Sequence, residues 1–206
     1  MVDEVFKFHL ENLQKLHTDL EKQMLNFDEV IPYEHQRTAK IYSPRLLNMM
    51  LACGPQVEAI TRLISTKCGF PDGGIPSLIE KINQKTVLSD LKIVSIPHRL
   101  LFTPFGTELL WWDAYNELKH ELNDKQFKIT YTTVMDAFAA LAALHCLAGF
   151  LLNSFDDKIP HILDGKNWRS DETMVTIVTA NRGRGSYDFW RSLLFEIRSI
   201  YTGFGL

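Results

Sequence analysis

Apolar residues recur at steps of three and four along several stretches of this 206-residue chain, and those stretches predict its helices. In the first, Phe6, Leu10, Leu13, Leu20, Met24 and Phe27 make one apolar stripe, while Lys7, Glu11, Lys15, Asp19 and Lys22 occupy the solvated side. The pattern predicts a one-sided helix over 4–27 on the outside of a bundle, stopped before Pro32. Ser43-Pro44 is a helix start, because Ser caps free amides and Pro suits the first helical position. Leu46, Met50, Cys53, Val57, Ile60 and Ile64 follow with the cleanest period in the chain. Gly54-Pro55 interrupts that run, and the stripe keeps its phase across it, which predicts a bend rather than a break. Residues 68–74, Cys-Gly-Phe-Pro-Asp-Gly-Gly, end the helix in a loop.

Residues 75–90 suit a short helix, started by Pro76-Ser77 and packed through Leu78, Ile82 and Leu88. From Ile93 to Phe105 the apolar residues show no period, and Pro97 and Pro104 intervene, so a connector along the bundle surface is expected. Thr107 to Leu122 reads as a helix with Trp111, Tyr115, Leu118 and Leu122 on one stripe. A further helix starts near Thr130. Val134, Phe138, Leu141, Leu144, Ala148 and Leu151 keep a helical period, but the residues between them are apolar too, and a helix apolar all round belongs at the centre of a core.

The segment after Asn153 changes character. Met174 to Val178 suits a strand, residues 181–186 suit a loop, and Phe189 to Ile200 fits a helix or a strand with Trp190, Leu193, Leu194 and Ile197 on its apolar face. The expected architecture is mainly α: a helical bundle of four to five helices over 1–153, with a small C-terminal appendage over 154–206 packed on it and containing a strand.

Composition narrows the class. Hydrophobic residues make up 46% of the chain and charged residues 23%, enough for a substantial core without metals or disulfides. Twenty-two basic against 25 acidic residues leave a formal charge of -3, which argues against broad charge-driven coating of nucleic acid. Three widely spaced cysteines, Cys53, Cys68 and Cys146, form no CxxC pair; Cys53 and Cys146 lie in apolar helical patterns and read as small buried residues. The start, Met-Val-Asp-Glu, lacks the basic and apolar run of a signal peptide, so a cytoplasmic setting is expected. Ala137 to Leu152 falls short of the roughly 20 apolar residues that a membrane span needs. A bundle helix and no membrane association are expected.

Candidate chemistry concentrates on the helix at Trp111. There Trp112, Asn116, Lys119, His120 and Asn123 share a second face, and Asn116 and His120 are one turn apart. A His works as acid or base near neutral pH, an Asn orients a phosphate or 2′-hydroxyl, and a Lys offers charge to a phosphodiester. The plainer reading makes His120 a solvated residue among Glu117, Glu121 and Asp124. Glu58 reads as a solvent-facing charge, with Lys119, His120 or Arg62 as possible partners; His145 reads as a hydrogen-bonded core residue. The other histidines show no metal-ligand spacing, so neither a metal nor a cofactor is expected. Arg182-Gly183-Arg184 gives a basic tip suited to RNA or an acidic partner, or simply a solvated turn. No Walker loop, dinucleotide fingerprint or GxSxG elbow is present.

Tyr115-Asn116-Glu117-Leu118-Lys119-His120, followed by a polar loop and an Ala/Leu-rich helix, resembles the HEPN superfamily over roughly residues 43–153. The resemblance implies a helical bundle; many members are metal-independent endoribonucleases of toxin–antitoxin and phage-defence systems. The family signature is an Arg, a polar residue, a short spacer and a His. Asn116 stands at the polar position and His120 at the His, while Tyr115 stands where the family has its phosphate-stabilising Arg. Lys119 carries charge there without the forked geometry of Arg. By this resemblance His120 would be the acid/base, Asn116 the orienting group, and Lys119 with Tyr115 the substrate contacts. It also implies a homodimer with two motif helices facing each other, for which exposed aromatic surface near Trp111 or Trp112 would serve. Two functions follow: action on RNA, or a non-catalytic module that dimerises or docks a cognate protein partner, with Tyr115 packed into the core.

Overall fold

Ser43 has extended backbone, and its Oγ accepts the Leu46 amide at 3.2 Å; Pro44 fills the first helical position, where an amide proton has no partner to lose. A computed structural model describes this and the rest of residues 2–34, 37–86, 88, 91–106, 108–120, 128–153 and 192–199. Its elements in chain order are α1 (Val2–Asp28), α2 (Pro44–Lys67), α3 (Ile75–Lys85), β1 (Leu91–Ser95), β2 (Leu101–Phe102), α4 (Leu110–His120), α5 (Tyr131–Asn153) and β3 (Phe195–Ser199).

The fold is mainly helical, as the periodicity predicts. All six stripe residues of α2 are fully buried, and α2 continues as one helix through Pro55. It ends at Cys68, whose amide donates to the Ile64 carbonyl at 2.9 Å; the Gly69 amide donates to Thr66 O at 3.1 Å, and Gly69 turns with φ +70, a conformation that costs glycine little. On α5, every residue from Ala137 to Leu144 is buried. This helix packs against α1, α2, α4, β1 and β3, which explains why no side of it can be polar. By length and composition Tyr131–Gly149 could cross a membrane, but 72% of that stretch is buried inside the fold.

Three expectations need correction. The region 93–105 is a hairpin, not a surface connector: β1 pairs antiparallel with β2, with Ile93 opposite Phe102 and Val94 opposite Leu101. Its turn closes with the Ser95 amide on Leu100 O and the Arg99 amide on Ser95 O, both 2.8 Å, and Arg99 sits at φ 57, in the left-handed region. Ile93, Ser95, Phe102 and Phe105 are buried. The predicted helix at 75–90 stops at Lys85, and Cys146 is only half-buried.

Of the two alternatives for 189–200, helix or strand, the described part is a strand over Phe195–Ser199. β3 pairs antiparallel with β1 from Leu91↔Ser199 to Ser95↔Phe195, giving a three-stranded sheet in the order β2-β1-β3. The central strand is thus shared between the bundle segment and the C-terminal segment. Residues 174–178 and 181–186, with Arg182 and Arg184, lie outside the described residues.

Candidate functional site

Helix α4 turns its tryptophans inward. Trp111 Nε1 donates to the carbonyl of Pro104 at 2.8 Å, so its polar handle is satisfied in the core. Trp112 meets Trp111 edge-on at 6.1 Å and lies 5.4 Å from the Tyr115 ring. Both tryptophans are buried, so Trp112 does not share the solvent face with Asn116, and neither offers exposed aromatic surface.

Tyr115 is also a core residue, only 3% exposed. Its ring lies directly on Gly54 of α2, where a side chain of any size would collide with it. Its hydroxyl donates to Glu58, and burial, reinforced by that carboxylate, pushes its pKa up to about 12. Lys119 Nζ reaches Glu58 Oε1 at 2.9 Å and lies 5.9 Å from the Tyr115 ring centre. Glu58 is therefore not a solvated charge: it ties α2 to α4 through two residues of the candidate motif. Arg62, a possible partner of Glu58, pairs instead with Asp72 at 2.6 Å.

Asn116, Lys119 and His120 are exposed on α4, as the second-face reading requires. Among the described residues, the side chains of Asn116 and His120 make no hydrogen bond or ion pair. The exposed set can offer an imidazole and an amide to a ligand. Its one cation is already paired, and the position expected to hold a guanidinium holds a buried phenol.

The structure assembles two further polar clusters that the spacing of residues did not reveal. In the first, Asp28 Oδ1 accepts the Tyr131 hydroxyl at 2.6 Å and the Tyr33 amide at 2.9 Å, and lies 2.8 Å from His98 Nε2. The Tyr33 hydroxyl meets Thr132 Oγ1 at 3.1 Å. Burial, then the neighbouring Asp28, pushes the Tyr131 hydroxyl well above its ordinary range, so it stays a donor. One carboxylate thereby joins the end of α1, the β1–β2 turn and the start of α5.

In the second cluster, Glu21 of α1 is fully buried. It accepts the Ser192 hydroxyl and the Leu193 amide, the latter at 2.7 Å, while the Leu194 amide donates to Ser192 Oγ at 3.2 Å. His17 Nε2 lies 3.5 Å from Glu21 Oε1, and the His17 ring stacks on His145 of α5 at 5.0 Å. Burial raises the Glu21 pKa to about 7 against the lowering effect of its donors. Burial lowers His17 well below its usual range and His145 to about 3. Among the described residues, no group of three or more His, Cys, Asp or Glu is arranged to hold a metal ion.

A signal for the second cluster exists in the sequence. The α1 stripe runs from Leu13 to Leu20 with one step missing, and His17 fills that step. A histidine at a core position of a helix needs a polar neighbour, and Glu21 is one turn on. No protein-family model, curated protein or solved structure matches the chain.

Proposed function

We propose that this chain is a HEPN-like bundle acting as a non-catalytic interaction module, which pairs with a second copy or a cognate protein. The observation that carries the reading is the place of Tyr115. It stands where the resemblance puts an Arg, and it is buried against Gly54 with its hydroxyl on Glu58. Lys119, the remaining cation of the motif, is held by the same carboxylate. A phosphodiester approaching His120 meets an imidazole and an amide but no unpaired charge from the motif, and stabilising charge on the phosphate is what most of the catalysis would need.

A second reading, metal-independent RNA cleavage in defence, is favoured by the exposure of Asn116, Lys119 and His120 together on α4. There His120 would be the acid/base, Asn116 the orienting group and Lys119 the phosphate contact. One experiment separates the two. Purified wild type and His120→Ala are incubated with total cellular RNA in chelator, without divalent metal. Equal, background-level degradation is expected. Degradation by wild type that His120→Ala loses, with its fold intact, would replace the module reading with the nuclease.

A further inference from the structure

The partner of β1 comes from the far end of the chain. Five residues, 96–100, separate β1 from β2, whereas 41 residues lie between Asn153 at the end of α5 and Phe195 at the start of β3. Yet β3 supplies the longer pairing, five register positions against two. The same segment brings its own polar anchor: the Ser192 hydroxyl and the Leu193 amide converge on Glu21, and Ser192 Oγ in turn accepts the amides of Leu194 and Phe195. Leu194 and Phe195 are buried, with Phe195 edge-on to Phe102 at 5.8 Å, and Leu194 O accepts the Ile96 amide at 2.7 Å. Leu193, between the anchor and the buried pair, faces solvent.

These contacts have the form of peptide recognition by strand addition. Main-chain bonds along an edge give affinity, and side chains at defined positions give selectivity. We propose that the edge of β1 and the Glu21 carboxylate form a binding site for an extended peptide, which the chain fills with its own residues 192–199. The ligand class is a short strand that opens with a hydroxyl residue, followed by one unrestricted residue and two large apolar ones. Glu21 is the selective element. A carboxylate sunk in the core with His17 beside it and Cys53 of α2 close by loses more from missing donors than an exposed one does, so an occupant lacking the hydroxyl and turn amide leaves a buried acceptor unmet. This inference is independent of the reading of α4.

The site is tested on the full chain with a specific protease sequence introduced between residues 154 and 191. After cleavage, the C-terminal fragment should co-elute with the bundle in size-exclusion chromatography. A fluorescent peptide of residues 192–199 should exchange into the cleaved protein. In Glu21→Ala and in Ser192→Ala, retention of the fragment should fall at least tenfold, while Glu11→Ala, on the exposed side of α1, should behave as wild type. Circular dichroism of the uncleaved Ser192→Ala protein checks that the bundle is intact, since that residue lies outside it. Loss of the wild-type fragment on cleavage would overturn the proposal. So would undiminished retention in Ser192→Ala with no change in peptide exchange.

Discussion

The Tyr115 ring rests on the bare Cα of Gly54, so α4 approaches α2 at the one residue of that turn with no side chain. Gly54→Ala places a methyl in the space the ring occupies. The variant should lose roughly 1–3 kcal/mol, as overpacked cores do. Combining it with Tyr115→Leu should recover part of that loss, because the two residues share one contact. Urea denaturation of the four proteins of the cycle measures the coupling, and strict additivity would refute the contact.

A guanidinium placed at position 115, where the resemblance puts an Arg, should not create RNA cleavage. Tyr115→Arg puts a charge into a site that is nearly closed to water, with Glu58 already engaged by Lys119. A loss of roughly 2–4 kcal/mol is expected from the buried charge. A thermal melt and the metal-free RNA assay check the two halves of this statement. An undiminished midpoint with new cleavage would contradict both.

Asp28 should matter more than its place at a helix end suggests. Asp28→Ala strands the Tyr131 hydroxyl, which is fully buried, and frees the Tyr33 amide and His98. A loss of about 3 kcal/mol is expected, with Asp28→Asn costing less because an amide oxygen still accepts. The order of the two variants in chemical denaturation is the readout.

The buried cluster around Glu21 sets opposing pH slopes. Glu21 is raised, so its contribution is fully present below about 4.5 and lost as pH rises through about 7. His17 and His145 are lowered, so theirs is present above about 6.5 and lost as pH falls. Between these limits each group changes the slope by up to about 1.4 kcal/mol per pH unit. His145→Gln should make stability rise less steeply with pH across 5–6.5, and Glu21→Gln should make it rise more steeply. Denaturation midpoints at pH 5, 5.5, 6 and 6.5 give the slopes, and a change of the same sign in both variants would contradict the assignment.

The long helices were legible because each turns a continuous apolar stripe toward a neighbour. Cys53, Val57 and Ile60 repeat without a polar intrusion, and all three are buried. Strand β1 hid itself for the opposite reason. Its inward positions include Ser95, a buried polar residue that breaks the alternation expected of a strand, and its main partner lies about a hundred residues downstream. Glu58 reads as solvent-facing and Glu21 draws no notice in the sequence, since a carboxylate marks a polar face until its partners are known. The partners of Glu58 come from α4, and those of Glu21 from the residues just before β3. The motif on α4 was legible as a surface trio, and the burial of Tyr115 followed from its place on the apolar stripe; what the stripe did not show is its partner, a glycine in another helix.

The order of β2, β1 and β3 also sets a timetable for synthesis. Helices α1 to α5 leave the ribosome before residue 192 does, and a growing chain folds its N-terminal part first. For that interval β1 has an open edge, and nothing yet covers Phe102 from the β3 side or donates to Glu21 from residues 192 and 193. An open strand edge is where newly made chains stick to one another. The nascent protein is thus most vulnerable just before residues 192–199 arrive, and a stop codon shortly ahead of Ser192 should yield an aggregating product in which α1 to α5 are all present.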